Sequence, residues 1–207
     1  MSTDEEIVCH VYPAEGSGRK KRSADEDEDL NNARMEWSIG QAFTWKLQGP
    51  IQGLDLADME SAIGRALDKW VALTADNFKF TFAKATDDNY NMIIDVSGDD
   101  DEEFPELGGR SHIAAIARLG PSGSSNAFKA KLKFNDTKTR PTWNIFLFHN
   151  VFLHEIGHTF GLGHTTAKDG IMTGTYQSGM RPFTEDMGFN DADREKLGGF
   201  FSAQNKS

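Results

Sequence analysis

Three of the chain's six histidines fall in one short segment, His154-Glu155-Ile156-Gly157-His158-Thr159-Phe160-Gly161-Leu162-Gly163-His164. The segment fits H-E-x-x-H-x-x-G-x-x-H throughout, a pattern that chance places somewhere in a chain of this composition with odds of roughly 3 in 100,000. On a helix, positions i and i+4 differ by about 40° in azimuth and about 6 Å in rise. His154 and His158 can therefore reach one ion at about 2.0 to 2.1 Å. Gly161 can take a positive φ and turn the chain out of the helix, which brings His164 to the same ion as a third ligand. Three imidazoles leave a fourth position open for water or substrate, which separates a catalytic zinc site from a closed structural one. Glu155 is not needed for coordination, so its carboxylate can take a proton from the water as a general base. A helix whose histidines are merely solvated, or satisfied in a core, is the competing account. The joint pattern weighs against it.

These residues need a helix beneath them. Ile145, Phe148, Val151 and Phe152 continue helical spacing upstream, so His154 and His158 are expected near the C-terminal end of a helix that packs on a sheet. Asp55 can cap another helix, whose Met59, Ile63, Ala66, Leu67 and Trp70 form one apolar stripe. Strands are predicted at Ala42–Leu47, around Phe78, Phe80 and Phe82, at Asn91–Val96, at His112–Leu119 and at Phe128–Phe134, the last two flanking a turn at Gly120-Pro121. The acidic run Asp99 to Glu103, followed by Pro105, Gly108 and Gly109, reads as a solvated loop, with a calcium site as the sharper alternative.

The length of 207 residues suits one domain with a tail, long enough to bury a core without crosslinks. A net charge of -10 argues against binding nucleic acid, which needs a basic face. No stretch reaches the ~18 to 20 apolar residues of a membrane span, and the single Cys9 excludes an internal disulfide. Residues 1–34, with Arg19-Lys20-Lys21-Arg22 followed by the acidic run Asp25 to Asp29, read as a disordered charged tail ahead of a domain over 35–207. The charged start Met1-Ser-Thr-Asp-Glu-Glu has no secretory h-region.

The histidine segment resembles the zinc motif of the metzincins, and within them of the matrixins, the matrix metalloproteinase family. Met172 follows His164 by eight residues in Asp169-Gly170-Ile171-Met172 and Tyr176 follows four later, similar to the matrixin Met-turn and the tyrosine beyond it. Thr165 stands where matrixins usually carry Ser. The resemblance extends over about residues 37–201: Asp55–Leu73 is similar to the first helix, Asn144–Phe160 to the active-site helix, and Phe189-Asn-Asp191-Ala-Asp193 to the start of the C-terminal helix.

It implies an α+β, zincin-like catalytic domain with a twisted, mostly parallel five-stranded sheet, one antiparallel edge strand and three helices. It implies a zinc endopeptidase acting on extended polypeptides, with one catalytic Zn2+ on His154, His158 and His164, Glu155 as general base and Met172 as an apolar floor rather than a ligand. Substrate would pair antiparallel with the edge strand near Ile113–Arg118, touching Ile116 and Ala117. Tyr176 and the residues to Phe189 would border the pocket for an apolar side chain after the cut. Without the resemblance, Met172 reads as ordinary core.

Two departures stand out. Matrixins hold a second, structural zinc, and the matching positions here lie near Ile116 and Lys131, so that ion is expected to be absent. Gly174 replaces a proline common after the Met-turn.

Arg19-Lys20-Lys21-Arg22 resembles the R-x-K/R-R site of furin-type convertases, and cleavage after Arg22 would discard Cys9 and His10, both zinc-ligating residue types. Cys9 is therefore a candidate latch on the fourth zinc position, although Val8-Cys9-His10 does not reproduce the matrixin P-R-C-G pattern. A nuclear-import-like basic run and a solvated tail are the plainer readings. A monomer is expected. The family and the convertase-like site suggest an extracellular protein, and the charged N-terminus keeps an intracellular one open. A metzincin fold that binds peptides without cutting them is the alternative function; a zinc aminopeptidase fits less well with Gly161, His164 and Met172 occurring together.

Overall fold

A computed structural model describes residues 6–12, 39–102, 104, 107, 113–118, 129–138, 140–164, 170–173, 175–177 and 186–204. The basic run Arg19–Arg22, the acidic run after it, the Gly120-Pro121 turn, Thr165, Gly174 and residues 178–185 of the expected pocket wall lie outside them.

In chain order the strands are β1 (Glu6–Tyr12), β2 (Ala42–Leu47), β3 (Thr81–Lys84), β4 (Met92–Ser97), β5 (Ile113–Arg118), β6 (Ala130–Asn135) and β7 (Thr175–Gln177). The helices are α1 (Leu56–Thr74), between β2 and β3, α2 (Ile145–Thr159), after β6, and α3 (Asp191–Gln204), after β7. Five strands make the expected mixed sheet: β3, β2, β4 and β6 run parallel, and β5 pairs antiparallel with β6 at its edge.

Beyond β5 the sheet continues into two strands that the sequence reading did not include. β1 pairs parallel with β5, with Cys9 opposite Ala115, His10 opposite Ile116 and Val11 opposite Ala117. β7 then pairs antiparallel with β1, with Tyr176 opposite Ile7. For Glu6–Tyr12, the expectation of a segment without structure is corrected: an edge strand offers a row of backbone donors and acceptors, and this seven-residue piece of the tail satisfies it.

Local chemistry explains the helices. The Asp55 carboxylate accepts from the Ala57 and Asp58 N–H groups at 2.8 and 3.2 Å, and the Asn144 side-chain Oδ1 accepts from the Phe146 and Leu147 N–H groups at 3.0 and 2.9 Å. Each cap satisfies two of the first-turn donors that have no intrahelical partner. The apolar stripe of α1, Met59, Ile63, Ala66, Leu67 and Trp70, is fully or almost fully buried, and the Trp70 indole N–H donates to the Leu153 carbonyl of α2 at 3.1 Å.

The second predicted strand begins later than the first two of its phenylalanines, and only Phe82 lies within β3. Lys79 takes φ +53°, which breaks the extended run, so Phe78 and Phe80 enter the core ahead of β3. Phe80 stacks on Phe160 at the end of α2, with ring centroids 5.2 Å apart. The acidic run keeps Asp99, Asp100 and Glu102 exposed, as expected of a surface loop, but the apolar residues after it turn inward. Phe104 and Leu107 are fully buried and form a small second core with Ile113 and Ile116 of β5. Among the described residues, no helix is long and apolar enough to cross a membrane.

Candidate metal and catalytic site

The site is assembled at the C-terminal end of α2. Its last turns carry His154, Glu155 and His158, all fully buried. Phe160 closes the helix, and Gly161 takes φ +89° as its position requires. The chain then turns back and brings His164 within 3.1 Å of His158, Nε2 to Nε2. The Nε2 atoms of His154 and His158 lie 2.8 Å apart. Among the described residues, these three are the one group of His, Cys, Asp or Glu side chains gathered closely enough to hold an ion, with ligand atoms within 4.8 Å of one another.

The other ring nitrogens decide what the facing ones are. His154 Nδ1 is 2.6 Å from the Ile171 carbonyl oxygen and His158 Nδ1 is 2.7 Å from that of Leu162. A carbonyl only accepts, so each Nδ1 carries its proton, and in the neutral ring it is Nε2 that presents the lone pair. Two lone pairs facing each other repel unless a cation lies between them. Ligands at 2.0–2.1 Å around a tetrahedral ion sit about 3.3 Å apart, close to the separations here. The donor set therefore fits zinc. Burial, and then the charge of His164, push His154 down to about 3 against the pull of the Ile171 carbonyl, so its imidazole stays neutral, the form a metal needs.

Outer contacts hold this set. Met172 is 2% exposed and lies against Gly157, between the first two histidines. A Cβ at Gly157 would sit 2.8 Å from Met172 Cε and 3.4 Å from Trp70 Cζ2, so a helix-interior glycine buys the close approach. Ile171, whose carbonyl orients His154, has its own N–H held by Asp193 Oδ2 at 3.0 Å. Asp193 also accepts from the Asn190 N–H at 3.1 Å, while Asn190 accepts from the Asp193 N–H at 2.8 Å. This reciprocal cap starts α3 and ties that helix to the turn beneath the histidines.

Gly157 and Asp193 belong to the site's support and were not singled out from sequence; a glycine inside a helical pattern was the available signal for the first. A second group missed in the sequence joins α1, α2 and the segment before α3. His149 is fully buried, with Nδ1 3.1 Å from the Ala62 carbonyl and Nε2 2.9 Å from the Lys69 ammonium. An ammonium only donates, so His149 is neutral with its proton on Nδ1. Lys69 also donates to the Met187 carbonyl at 2.6 Å, and the Met187 N–H donates to Asn150 Oδ1 at 2.7 Å. Burial, and then Lys69, hold His149 below the ordinary histidine range, with Asp186 opposing.

The residues expected to meet substrate do not come together in the sheet. Ile116 and Ala117 are buried in β5 and pair with His10 and Val11 of β1, whereas Tyr176 of β7 pairs with Ile7 toward the other end of β1. Both β5 and β1 pack against α2. The strand expected to receive a substrate is thus paired, in this chain, with the segment that carries Cys9.

A model of the Matrixin family of peptidases matches residues 36–197. The chain is 29% identical over 145 residues to matrix metalloproteinase-18 of Xenopus laevis, a match covering 66% of this chain and 28% of that protein. It is 25% identical over 136 residues to interstitial collagenase of Equus caballus, covering 65% and 27%, and 29% identical over 122 residues to stromelysin-1 of Rattus norvegicus, covering 58% and 24%. It spans about a quarter of the length of these curated relatives. Because the family match runs from ahead of β2 into α3, it takes in the whole unit that carries the three histidines, and the chain belongs to the matrixin family.

Proposed function

We propose that the chain is a zinc-dependent endopeptidase that hydrolyses extended polypeptides. The observation that supports this best is the convergence of three imidazoles beside a buried carboxylate, at the end of a helix packed on β5. His154, His158 and His164 would hold the ion. When bound, zinc supplies Lewis acidity toward water and the scissile carbonyl. Glu155 removes the proton of the attacking water and later delivers it to the leaving amine, so no covalent intermediate on the protein is needed. β5 aligns the substrate backbone by strand addition, with Ile116 and Ala117 along it and Tyr176 on the facing wall.

Glu155→Ala is expected to keep zinc while losing about 10²- to 10⁴-fold in turnover, whereas His158→Ala loses both. Undiminished cleavage by zinc-loaded Glu155→Ala protein would refute the mechanism. Tight peptide binding without cleavage by the native chain would make it a binding module instead.

The same reading assigns the tail a role. β1 occupies the pairing edge a substrate needs, and its register sets Cys9 opposite Ala115 in the strand packed on α2. The intact chain is therefore self-blocked, with Cys9 as the candidate latch, and cleavage after Arg22 would clear the groove. Equal peptide cleavage by the full chain and by residues 23–207 would rule this out.

A further inference from the structure

The acidic loop after β4 is organised around a lysine. Lys133 of β6 has a side chain only 8% exposed, and its ammonium lies 2.7 Å from Asp95 Oδ2 of β4 and 2.8 Å from Asp101 Oδ2 of the loop. The two carboxylates are themselves 17% and 11% exposed. Asp101 Oδ1 accepts from the Phe104 N–H at 3.0 Å, turning the chain so that the Phe104 ring comes within 5.7 Å of the Lys133 ammonium and 5.8 Å of that of Lys131. Behind this ring, Phe104 and Leu107 pack on Ile113 and Ile116 of β5. Thr137 Oγ1 donates to the Leu107 carbonyl at 3.4 Å, and the Asn135 amide donates to that of Ile113 at 2.8 Å. The loop and β5 are thus braced from β6 and from Thr137 just after it.

Two mostly buried carboxylates in one pocket repel unless a cation lies between them. A calcium ion would require six to eight oxygen ligands at about 2.3–2.6 Å, and here the pocket is closed by an aromatic face. Neither Ile116 nor Lys131 offers a zinc ligand. An ammonium at hydrogen-bonding distance from both carboxylates, over a π face that attracts cations, suits the same space. We propose that Lys133 is the loop's resident cation, so that the loop and the groove strand β5 hold their places without calcium or a second zinc. Burial alone would lower the lysine's pKa, but the bonds to Asp101 and Asp95 outweigh it and keep it raised, so the charge persists across the physiological range.

The test measures metal content and stability on the full chain. Elemental analysis is expected to find one zinc per chain, and calcium at about 5 mM is expected to move the melting temperature by less than about 1 °C, since Lys133 already fills the space between the two carboxylates. Lys133→Met leaves two buried carboxylates facing each other. It is expected to lower the melting temperature by roughly 10 °C and to speed proteolytic cutting within residues 98–112, while Lys133→Arg retains most of the stability. Should Lys133→Met fail to fold, Asp101→Asn, which removes one partner and keeps the shape, is expected to show the same faster cutting. A second zinc per chain, a rise of several degrees with calcium, or a Lys133→Met or Asp101→Asn protein that melts and is cut like the native chain would each overturn the proposal. None of these readouts depends on peptide cleavage.

Discussion

Asp193→Ala probes a link that runs from the start of α3 to His154, a proposed zinc ligand. Asp193 Oδ2 holds the N–H groups of both Ile171 and Asn190, and the Ile171 carbonyl holds His154 Nδ1. Asp193 is 3% exposed, so water cannot readily replace it. A hydrogen bond to a charged group contributes about 1.5–3 kcal/mol; two that share one oxygen are not additive, and a loss of about 3–4 kcal/mol in all is a fair expectation. For a domain of this size that lowers the melting temperature by about 10 °C. The second effect is more diagnostic. With Ile171 released, its carbonyl no longer fixes the His154 ring, and loss of such outer contacts typically weakens a metal site 10- to 100-fold. Thermal scans of the zinc-loaded protein measure the first effect, and competition against a chelator of known affinity measures the second. Asp193→Asn keeps an acceptor oxygen without the charge and is expected to fall between native and Ala in both. If Asp193→Ala melts early yet binds zinc within about twofold of the native chain, α3 does not act on the metal site through Ile171, and the outer-shell reasoning fails.

Asn144→Ala removes the cap of α2 and is expected to cost about 1 kcal/mol, or about 2–4 °C in melting temperature, with zinc content unchanged; loss of zinc would show that the cap sets the histidine geometry. His149 gives a pH dependence. Its folded-state pKa lies below its unfolded value near 6.5 because of burial and Lys69, so the unfolded chain takes up the proton first as pH falls. Its stabilising contribution is full above 6.5 and is lost as pH drops from there toward the folded value, with a slope of at most about 1.4 kcal/mol per pH unit. The groups facing it are Lys69 from α1, Asp186 from the segment before α3 and, more distantly, Arg65 from α1. Urea unfolding at pH 7 and pH 5 should show a smaller difference for His149→Gln than for the native chain, and an identical difference would refute the assignment.

What could be read in the sequence was what local pattern controls. The helix under the histidines, the Asp55 cap of α1, the turn at Gly161 and the antiparallel placement of β5 all follow from periodicity, capping chemistry or family resemblance. What could not be read depends on residues distant in the chain. His149, Lys69 and Met187 come from three separate elements and show no spacing that would pair them. Lys133 looks like any strand lysine until Asp95 and Asp101 are placed beside it. β1 was obscured for another reason: its alternation is short and its flanks are heavily charged, so composition outweighed a seven-residue pattern that becomes a strand only where an open edge receives it.

That edge has a geometric property of its own. β1 lies parallel to β5 on one side and antiparallel to β7 on the other, along registers of five and three residue pairs. A chain threaded the opposite way would again have one parallel and one antiparallel neighbour, with the roles exchanged. The backbone ladder is therefore nearly indifferent to polarity, and it leans slightly toward the reverse of the present occupant, because reversal moves the somewhat stronger antiparallel pairing onto the longer edge. The backbone ladder between β5 and β7 therefore holds the chain's own segment in one direction without excluding the other, leaving side chains to decide which way a chain runs through it.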